Sequence, residues 1–519
     1  MKSRSQRPKP RPRPKAASKR RYPAGFVPPT PAEEAIPPSQ RSRAQLPLRE
    51  PFRPKAPDRT SVPREPARPN RSQAPAPESL HVASLDVLAE ATVHTAHAAE
   101  KAVFGDGRRA DRAIAWELRN RRDLAAPDHR FVAQSVFALF RWYGWVEPLQ
   151  LKTLRERLLL SWLLDAPIVH PVCRVWGQAA GRDASRLVAL GDAPSWTARA
   201  EGLKRWVDGR AVNADPWRLF PPWFRESLPL PPGGGSPKAK YLDLLDTLQK
   251  RPPLWVRAQN EGPDAGALWK ELKETGLKPW VHRQVERAAK LDTDADVYHL
   301  PAFTRGTLEI QDLASQAVAL VCDPDPGDRW WDACAGAGGK ALHLAALMGG
   351  KGVVTATDVH ESRLKETVRR ARRSPYRNVS TKVWDGVNGK HLPGKPRSYD
   401  GVLVDAPCSA IGTWRRNPDA RWSLDPEAIT RLSELQLHLL NAASAGVKPG
   451  GTLVYSVCTL TPAETVNLIK VFLSASPEFR LDPFPSPLDG SDTNGTLQIW
   501  PQDADSDAMF IARMVRSSG

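Results

Sequence analysis

The chain has 519 residues, 41% of them hydrophobic and 25% charged, and 75 Lys and Arg against 57 Asp and Glu give a net charge of +18. That length allows about three domains and at least one full-sized core, which excludes a peptide-sized or disulfide-built scaffold. The five cysteines, at 173, 322, 334, 408 and 458, include no C-x-x-C pair, no run of about 18 apolar residues is long enough to span a bilayer, and no apolar stretch follows the basic N-terminus as a secretory signal would require. A monomer in a reducing cytoplasm, without metal or membrane, is expected.

Residues 1–78 hold 19 Lys and Arg against 6 Asp and Glu, together with 19 of the 51 prolines. With so few large apolar residues, this stretch is expected to be a disordered basic tail. It is either a solvated arm of no specific role or an electrostatic arm for phosphate backbones. Only +5 of the net charge is left for the other 441 residues, so the basic balance does not by itself make the folded part a nucleic-acid binder.

From 79 to 248, apolar residues recur at three- and four-residue spacing, for example Phe131, Val132, Val136, Leu139 and Phe140, and an all-helical domain follows. Arg121, Arg122, Arg130 and Arg141 with Trp142, Tyr143 and Trp145 form either a basic-aromatic RNA face or helix-surface arginines over core aromatics. The Pro-Pro-Gly-Gly-Gly-Ser run at 231–236 marks a loop within this region. Over 252–300 a strand, PPLWVRAQN, a helix, DAGALWKELKETG, and a second strand at DVYHLP indicate a small α+β module. From 301 to 519 strands and helices alternate: RWWDACAG, a helix from Lys340, GVVTATDV, a helix over 361–373, VSTKVWDG, YDGVLVDAP, a helix over 426–446, GTLVYSVC and a helix over 462–474. This pattern predicts an α/β, doubly wound Rossmann-like domain with its ligand at the C-terminal strand ends.

The first of these strands ends in Cys334-Ala335-Gly336-Ala337-Gly338-Gly339-Lys340, a glycine-rich turn that brings backbone N–H groups and a helix N-terminus close to a ligand. A P-loop would require Gly at 334 and Ser or Thr at 341, where Cys and Ala stand. Asp358 ends the second strand, about twenty residues past Gly338, where a carboxylate can accept both ribose hydroxyls. Asp385 after the third strand stands at the height of an adenine, or else caps its own turn. With no G-x-G-x-x-G fingerprint for a pyrophosphate, S-adenosylmethionine is preferred to a dinucleotide. The fourth strand ends Asp405-Ala-Pro-Cys408 and the fifth Tyr455-Ser-Val-Cys458, so two thiols meet beside the methyl donor. Cytosine C5 becomes nucleophilic only after a thiolate adds to C6, and Asp405 is placed to share a proton with N3. These residues leave open which cysteine attacks.

The ordered motifs resemble the Sun/Fmu family of RNA cytosine-C5 methyltransferases. RGTLEIQDLASQAVAL, DACAGAGGK, DAPCSAIGTWRRNPD, YSVCT and DAMFIARMV all fit its pattern, from about Gly306 to Val515. More weakly, residues 79–248 resemble its NusB-like RNA-binding domain. The resemblance implies cofactor contacts from Cys334 to Lys340 and at Asp358, Asp385 and Asp405. It also implies Cys458 as nucleophile and Cys408 as the group that helps release product, with Lys340 and Asp405 at the same centre. Arg415 and Arg416 would face RNA or hold their loop. The implied substrate is RNA, ribosomal RNA ahead of tRNA, and the competing reading is a non-catalytic ribosome-assembly factor. Gly336-Ala337, Ala341, Ala410, Val457 and Ala508-Met509 depart from the family's usual residues, and Ala410 and Val457 lie next to the expected chemistry.

Overall fold

A computed structural model describes residues 83–183, 187–207, 213–259, 265–292, 296–387 and 391–518. The predicted tail over 1–78 lies outside the described residues.

The helical region is built from helices Leu85–Glu100, Ala110–Arg119, Ala126–Arg141, Leu154–Asp165, Val172–Ala179, Trp196–Trp206 and Pro237–Gln249. Local chemistry sets their starts. Ser84 Oγ accepts the Val87 N–H, Thr153 and Glu156 cap each other reciprocally, and Ser236 at the end of the glycine run caps a helix that begins with Pro237. Phe131, Val132, Val136, Leu139 and Phe140 are buried as their spacing predicts. The seven residues weighed as a basic-aromatic face do not share one surface. Trp142 and Trp145 are buried, Arg121 pairs with Asp123, and Arg141 turns inward to Asp165 at 2.8 Å.

Next comes a four-stranded antiparallel sheet of order β2-β3-β1-β4, with β1 Leu254–Ala258, β2 Trp280–Val281, β3 Ala288–Leu291 and β4 Leu308–Ile310. Its fourth strand comes from beyond residue 300. The strand predicted at DVYHLP is instead a 3-10 turn, Val297–His299, followed by the short helix Pro301–Thr304. Asp296 bonds the His299 ring locally, and Pro301 has no N–H to give a ladder.

The large sheet has the order β10-β12-β9-β8-β5-β6-β7, with β11 added on β12. Its strands are β5 Arg329–Asp332, β6 Val353–Asp358, β7 Val379–Val383, β8 Tyr399–Asp405, β9 Val447–Val457, β10 Phe479–Leu481, β11 Thr496–Ile499 and β12 Met509–Arg516. The five from β5 to β9 are parallel, and β12 runs antiparallel to β9. Helices Leu313–Cys322, Gly339–Leu347, Glu361–Arg373, Pro426–Ser444 and Val466–Ala475 belong to this layer system. This is the doubly wound α/β architecture expected from the alternation, and its strand order reverses beside β5. Among the described residues no helix is long and apolar enough to cross a membrane.

The segment after Cys408 is held against the helical region. Trp414, Ile411 and Leu460 share a core with Trp142, Phe220, Phe224 and Leu248. Arg421, fully buried, donates to Gln249 Oε1 and the Leu248 carbonyl, both at 2.6 Å, and Trp422 donates to the Phe140 carbonyl at 2.8 Å. Arg141 also donates to the Arg415 carbonyl at 3.0 Å. Asp165 lies between Arg141 and Arg251, each 2.8 Å away. Burial opposes the carboxylate charge, but the two guanidiniums outweigh it and hold its pKa below the ordinary value. A lowered folded pKa supplies stability above the unfolded pKa and loses it as pH falls through the folded one. Asp165→Asn leaves two cations facing each other without an anion, so at neutral pH it is expected to destabilise the fold by about 3–5 kcal/mol, measured by denaturant unfolding. The deficit should shrink toward acid pH, and a variant as stable as the parent at pH 7 would contradict this account.

Candidate active site

The loop between β5 and its helix takes left-handed backbone at Gly336 (φ +56°) and Gly338 (φ +85°). A Cβ on Gly338 would lie 2.6 Å from the Thr367 side chain, whereas one on Gly336 would meet nothing within 4 Å. The loop is therefore closed behind Gly338 and open in front of Gly336. At the end of β6, Asp358 Oδ2 accepts the Gly336 N–H at 3.0 Å and Oδ1 accepts the His360 N–H at 2.7 Å. Each oxygen keeps a second lone pair, the acceptor set that a ribose diol requires. This donor and acceptor set fits the adenosine-type cofactor expected from the sequence. Asp385, just beyond β7, accepts the Val387 N–H at 3.0 Å within its own turn.

At the neighbouring strand ends, Asp405 Oδ2 accepts from Lys340 Nζ at 2.8 Å, and Asp405 Oδ1 accepts from Ser456 Oγ at 2.8 Å. Burial works against the Lys340 charge, but Asp405, with a smaller contribution from Cys458, raises its pKa above the ordinary lysine value. Three residues past Asp405, Cys408 Sγ lies 3.4 Å from Cys458 Sγ. The hydrogen bond to Cys458, together with burial, pushes the Cys408 thiol well above the ordinary cysteine range. Beneath the loop, Asp332 is fully buried, and among the described residues no side chain bonds either carboxylate oxygen. Burial first, then Asp405, lifts its pKa to about 8, so it is neutral at pH 7.

The sequence did not single out what aligns the two thiols. Glu464, fully buried, accepts from the Ser409 N–H at 2.8 Å, Ser409 Oγ at 2.5 Å, Thr459 Oγ1 at 3.2 Å, Thr461 Oγ1 at 2.7 Å and Gln436 Nε2 at 2.9 Å. Ser409 Oγ and Thr459 Oγ1 also lie 2.7 Å apart, so the residues that follow the two cysteines converge on one carboxyl group. Tyr455 Oη completes the network by donating to Gln436 Oε1 and the Glu464 carbonyl. Tyr455 and Thr459, in the YSVCT motif, and Ser409, in DAPCSAIGTWRRNPD, carried a local signal, whereas Glu464 and Gln436 did not. Gly412 donates to the Cys458 carbonyl at 3.0 Å, while Ala410 holds a left-handed φ of +55°, which costs a non-glycine residue about 1–2 kcal/mol. Arg415 and Arg416 hold their loop. Arg415 is only 2% exposed and bonds Asp505 at 2.9 Å, while Arg416 bonds Asp312 at 2.9 Å and Asp507 at 3.1 Å.

A family model described as 16S rRNA methyltransferase RsmB/F matches residues 319–515. The chain is 33% identical over 280 residues to the ribosomal RNA small subunit methyltransferase B of Vibrio vulnificus, covering 54% of this chain and 63% of that one. It therefore spans less than two thirds of that relative's length. With the probable ribosomal RNA small subunit methyltransferase B of Synechocystis sp. it shares 34% identity over 322 residues, 60% of this chain and 70% of the relative. The crystal structure of PH0851 shares the fold, with a TM-score of 0.64 at 24% identity, over 82% of this chain and 98% of that one.

The Asp332 environment carries a pH signature. A carboxyl whose folded pKa is raised binds its proton more tightly folded than unfolded, so stability falls as pH rises between the two values. Asp332→Asn removes this titration. The variant is expected to gain on the parent steadily from about pH 4 to about pH 8, read from thermal midpoints of both proteins. Parallel pH profiles would show that Asp332 is not held neutral.

Proposed function

The chain belongs to the RsmB/F family of 16S rRNA methyltransferases, and from that premise we propose that it methylates C5 of a cytosine in small-subunit ribosomal RNA, with S-adenosylmethionine as donor. The observation that carries this reading is the pair of thiols 3.4 Å apart, beside the Lys340–Asp405 ion pair and next to the glycine loop. Bound S-adenosylmethionine supplies an electrophilic methyl group. Residues Cys334, Ala335, Gly336, Ala337, Gly338, Gly339 and Lys340 would form the backbone cradle, with Asp358 at the ribose and Asp385 on the adenine side.

The Cys458 thiolate adds to C6, forming the S–C6 bond and moving the electrons of the C5–C6 double bond into the ring toward N3. The Lys340–Asp405 pair holds a proton at N3, which stabilises that charge and leaves C5 nucleophilic. After C5 takes the methyl group, its proton passes to solvent water, the C5–C6 double bond re-forms, the N3 proton returns to the Lys340–Asp405 pair and the bond to Cys458 breaks. Cys408, kept protonated at hydrogen-bond distance, gives its proton to the departing Cys458 sulfur. The proposal also includes a monomer in a reducing cytoplasm.

The test is incubation of the purified protein with labelled S-adenosylmethionine and separate pools of undermethylated rRNA and tRNA, followed by nucleoside analysis. 5-Methylcytidine is expected in small-subunit rRNA and should vanish with Cys458→Ala. Cys408→Ala is expected to accumulate a denaturation-resistant protein–RNA adduct. Label in tRNA alone would overturn the substrate, and no label in any pool would favour a non-catalytic assembly factor.

A further inference from the structure

Of the two readings the sequence left open for Trp142 and Trp145, core packing is the one the structure shows. Other aromatic side chains stand in solvent. Of the chain's 18 tryptophans, only Trp116 and Trp280 stand out as exposed, at 66% and 54%. Trp280 is accounted for by its own sheet, where it packs edge-on against Trp255 and His282 and under Lys290. Trp116 touches no other aromatic ring among the described residues, and only the Arg119 guanidinium lies over it, 5.6 Å from the ring centroid.

We propose that the outer face of helix Ala110–Arg119 is an RNA docking surface, on which an unpaired base stacks on Trp116 while Arg112 and Arg119 hold the flanking phosphates. This rests on RNA being the substrate. Folding does not require the tryptophan there, because the helix buries Ala110, Ile114 and Leu118 on its other side. Positions 112, 116 and 119 follow one another at four- and three-residue spacing, so the ring sits between the two arginines on one face. Neither arginine has a carboxylate partner among the described residues, whereas the nearby acids are engaged, Asp111 with Arg109 at 2.8 Å and Glu117 with His94 at 3.0 Å. The face thus combines an open aromatic surface with uncompensated positive charge, the combination that binds single strands regardless of sequence.

Its position ties it to the catalytic centre. Asp419 Oδ2 accepts the Ala110 N–H at 2.9 Å, and Asn417 Oδ1 accepts from Arg109 at 3.0 Å, both from the segment that follows Cys408. Trp116 lies six residues along the helix, about 9 Å up its axis. An RNA strand leaving the thiols over this segment meets Trp116 next.

The experiment is fluorescence anisotropy of the full-length protein with a short labelled oligouridylate, which offers no cytosine to the thiols, and with a blunt RNA duplex. The basic tail contributes equally to parent and variants, so differences report on the helix face. Trp116→Ala is expected to weaken oligouridylate binding roughly tenfold while duplex binding is unchanged, and Trp116→Phe should restore most of the loss. Arg112→Ala with Arg119→Ala should reduce the slope of log affinity against log salt by about 1.4. Thermal midpoints equal to the parent's would show that the variants are folded, as the exposure of all three side chains leads one to expect. Unchanged oligouridylate binding by Trp116→Ala would overturn the proposal and leave the face to a protein partner, and an equal loss for the duplex would also overturn it. If Trp116→Ala weakens binding while the parent methylates no RNA, the docking surface stands and the enzymatic reading fails. If the parent methylates RNA and the variant binds as the parent does, the enzymatic reading stands alone.

Discussion

The parallel register that sets Asp405 of β8 beside Ser456 of β9 is the constraint on which the site depends. A slip of one residue would turn every side chain of one strand to the other face of the sheet. Asp405 would lose Ser456, and the chain beyond β8 would no longer bring Cys408 to Cys458. On its other side β8 is fitted closely to β5. Gly401 lies directly under the Trp330 ring, so a Cβ there would come within 2.3 Å of it. Above the sheet, Glu464 repeats the constraint in polar form, gathering Ser409 and Thr459 onto one buried carboxylate. Apolar packing sets the strand ends to within a residue, and the hydrogen bonds to Glu464 bring the two sulfurs to contact distance.

The loop after Cys408 needs a second support, because it leaves the sheet and has no ladder to join. Three arginines provide it, Arg415 and Arg421 buried and Arg416 partly so: they reach Asp505, Asp507, Asp312 and the end of helix Pro237–Gln249. Buried ion pairs add little net stability, since desolvation offsets much of the attraction, but a wrong arrangement that strands one charge is heavily penalised. Here they specify a single loop conformation. The helical region is therefore part of the active site's architecture, and a change deep in its core at Asp165 or Trp142 is only a few bonds from the segment that carries Cys408.

The alternation of strands and helices was legible because each fully buried parallel strand is a short apolar run ended by a turn, and periodicity records that locally. Cofactor-loop glycines, Asp358 and the two cysteines were legible for the same reason: each closes a strand whose end is visible in the sequence. The direction of the arginines was not. Arg415 and Arg416 look like solvent-facing RNA contacts until Asp505, Asp312 and Asp507 arrive from segments about a hundred residues away in sequence or nearly so. Gln436 had no signal at all, being one polar residue on a helix whose inner face happens to meet Glu464. The place of the aromatic residues was left open between surface and core. Trp142 and Trp145 follow a run of core residues, and only the packing of Trp196 and Phe220 around them shows that they are core too.

The protonation of Cys408 follows from its neighbours rather than from the motif around it. Cys408 faces the Glu464 carboxylate, which joins Cys458 and burial in keeping it protonated. On the other side, Asp405, with a smaller contribution from Cys458, raises the Lys340 pKa. The proposed role of Cys408 as proton donor therefore has an electrostatic basis in this chain. Cys408 is thus held as a thiol on one side of the pair, while on the other the lysine of the glycine loop is bound to Asp405 at the end of the strand that leads to Cys408.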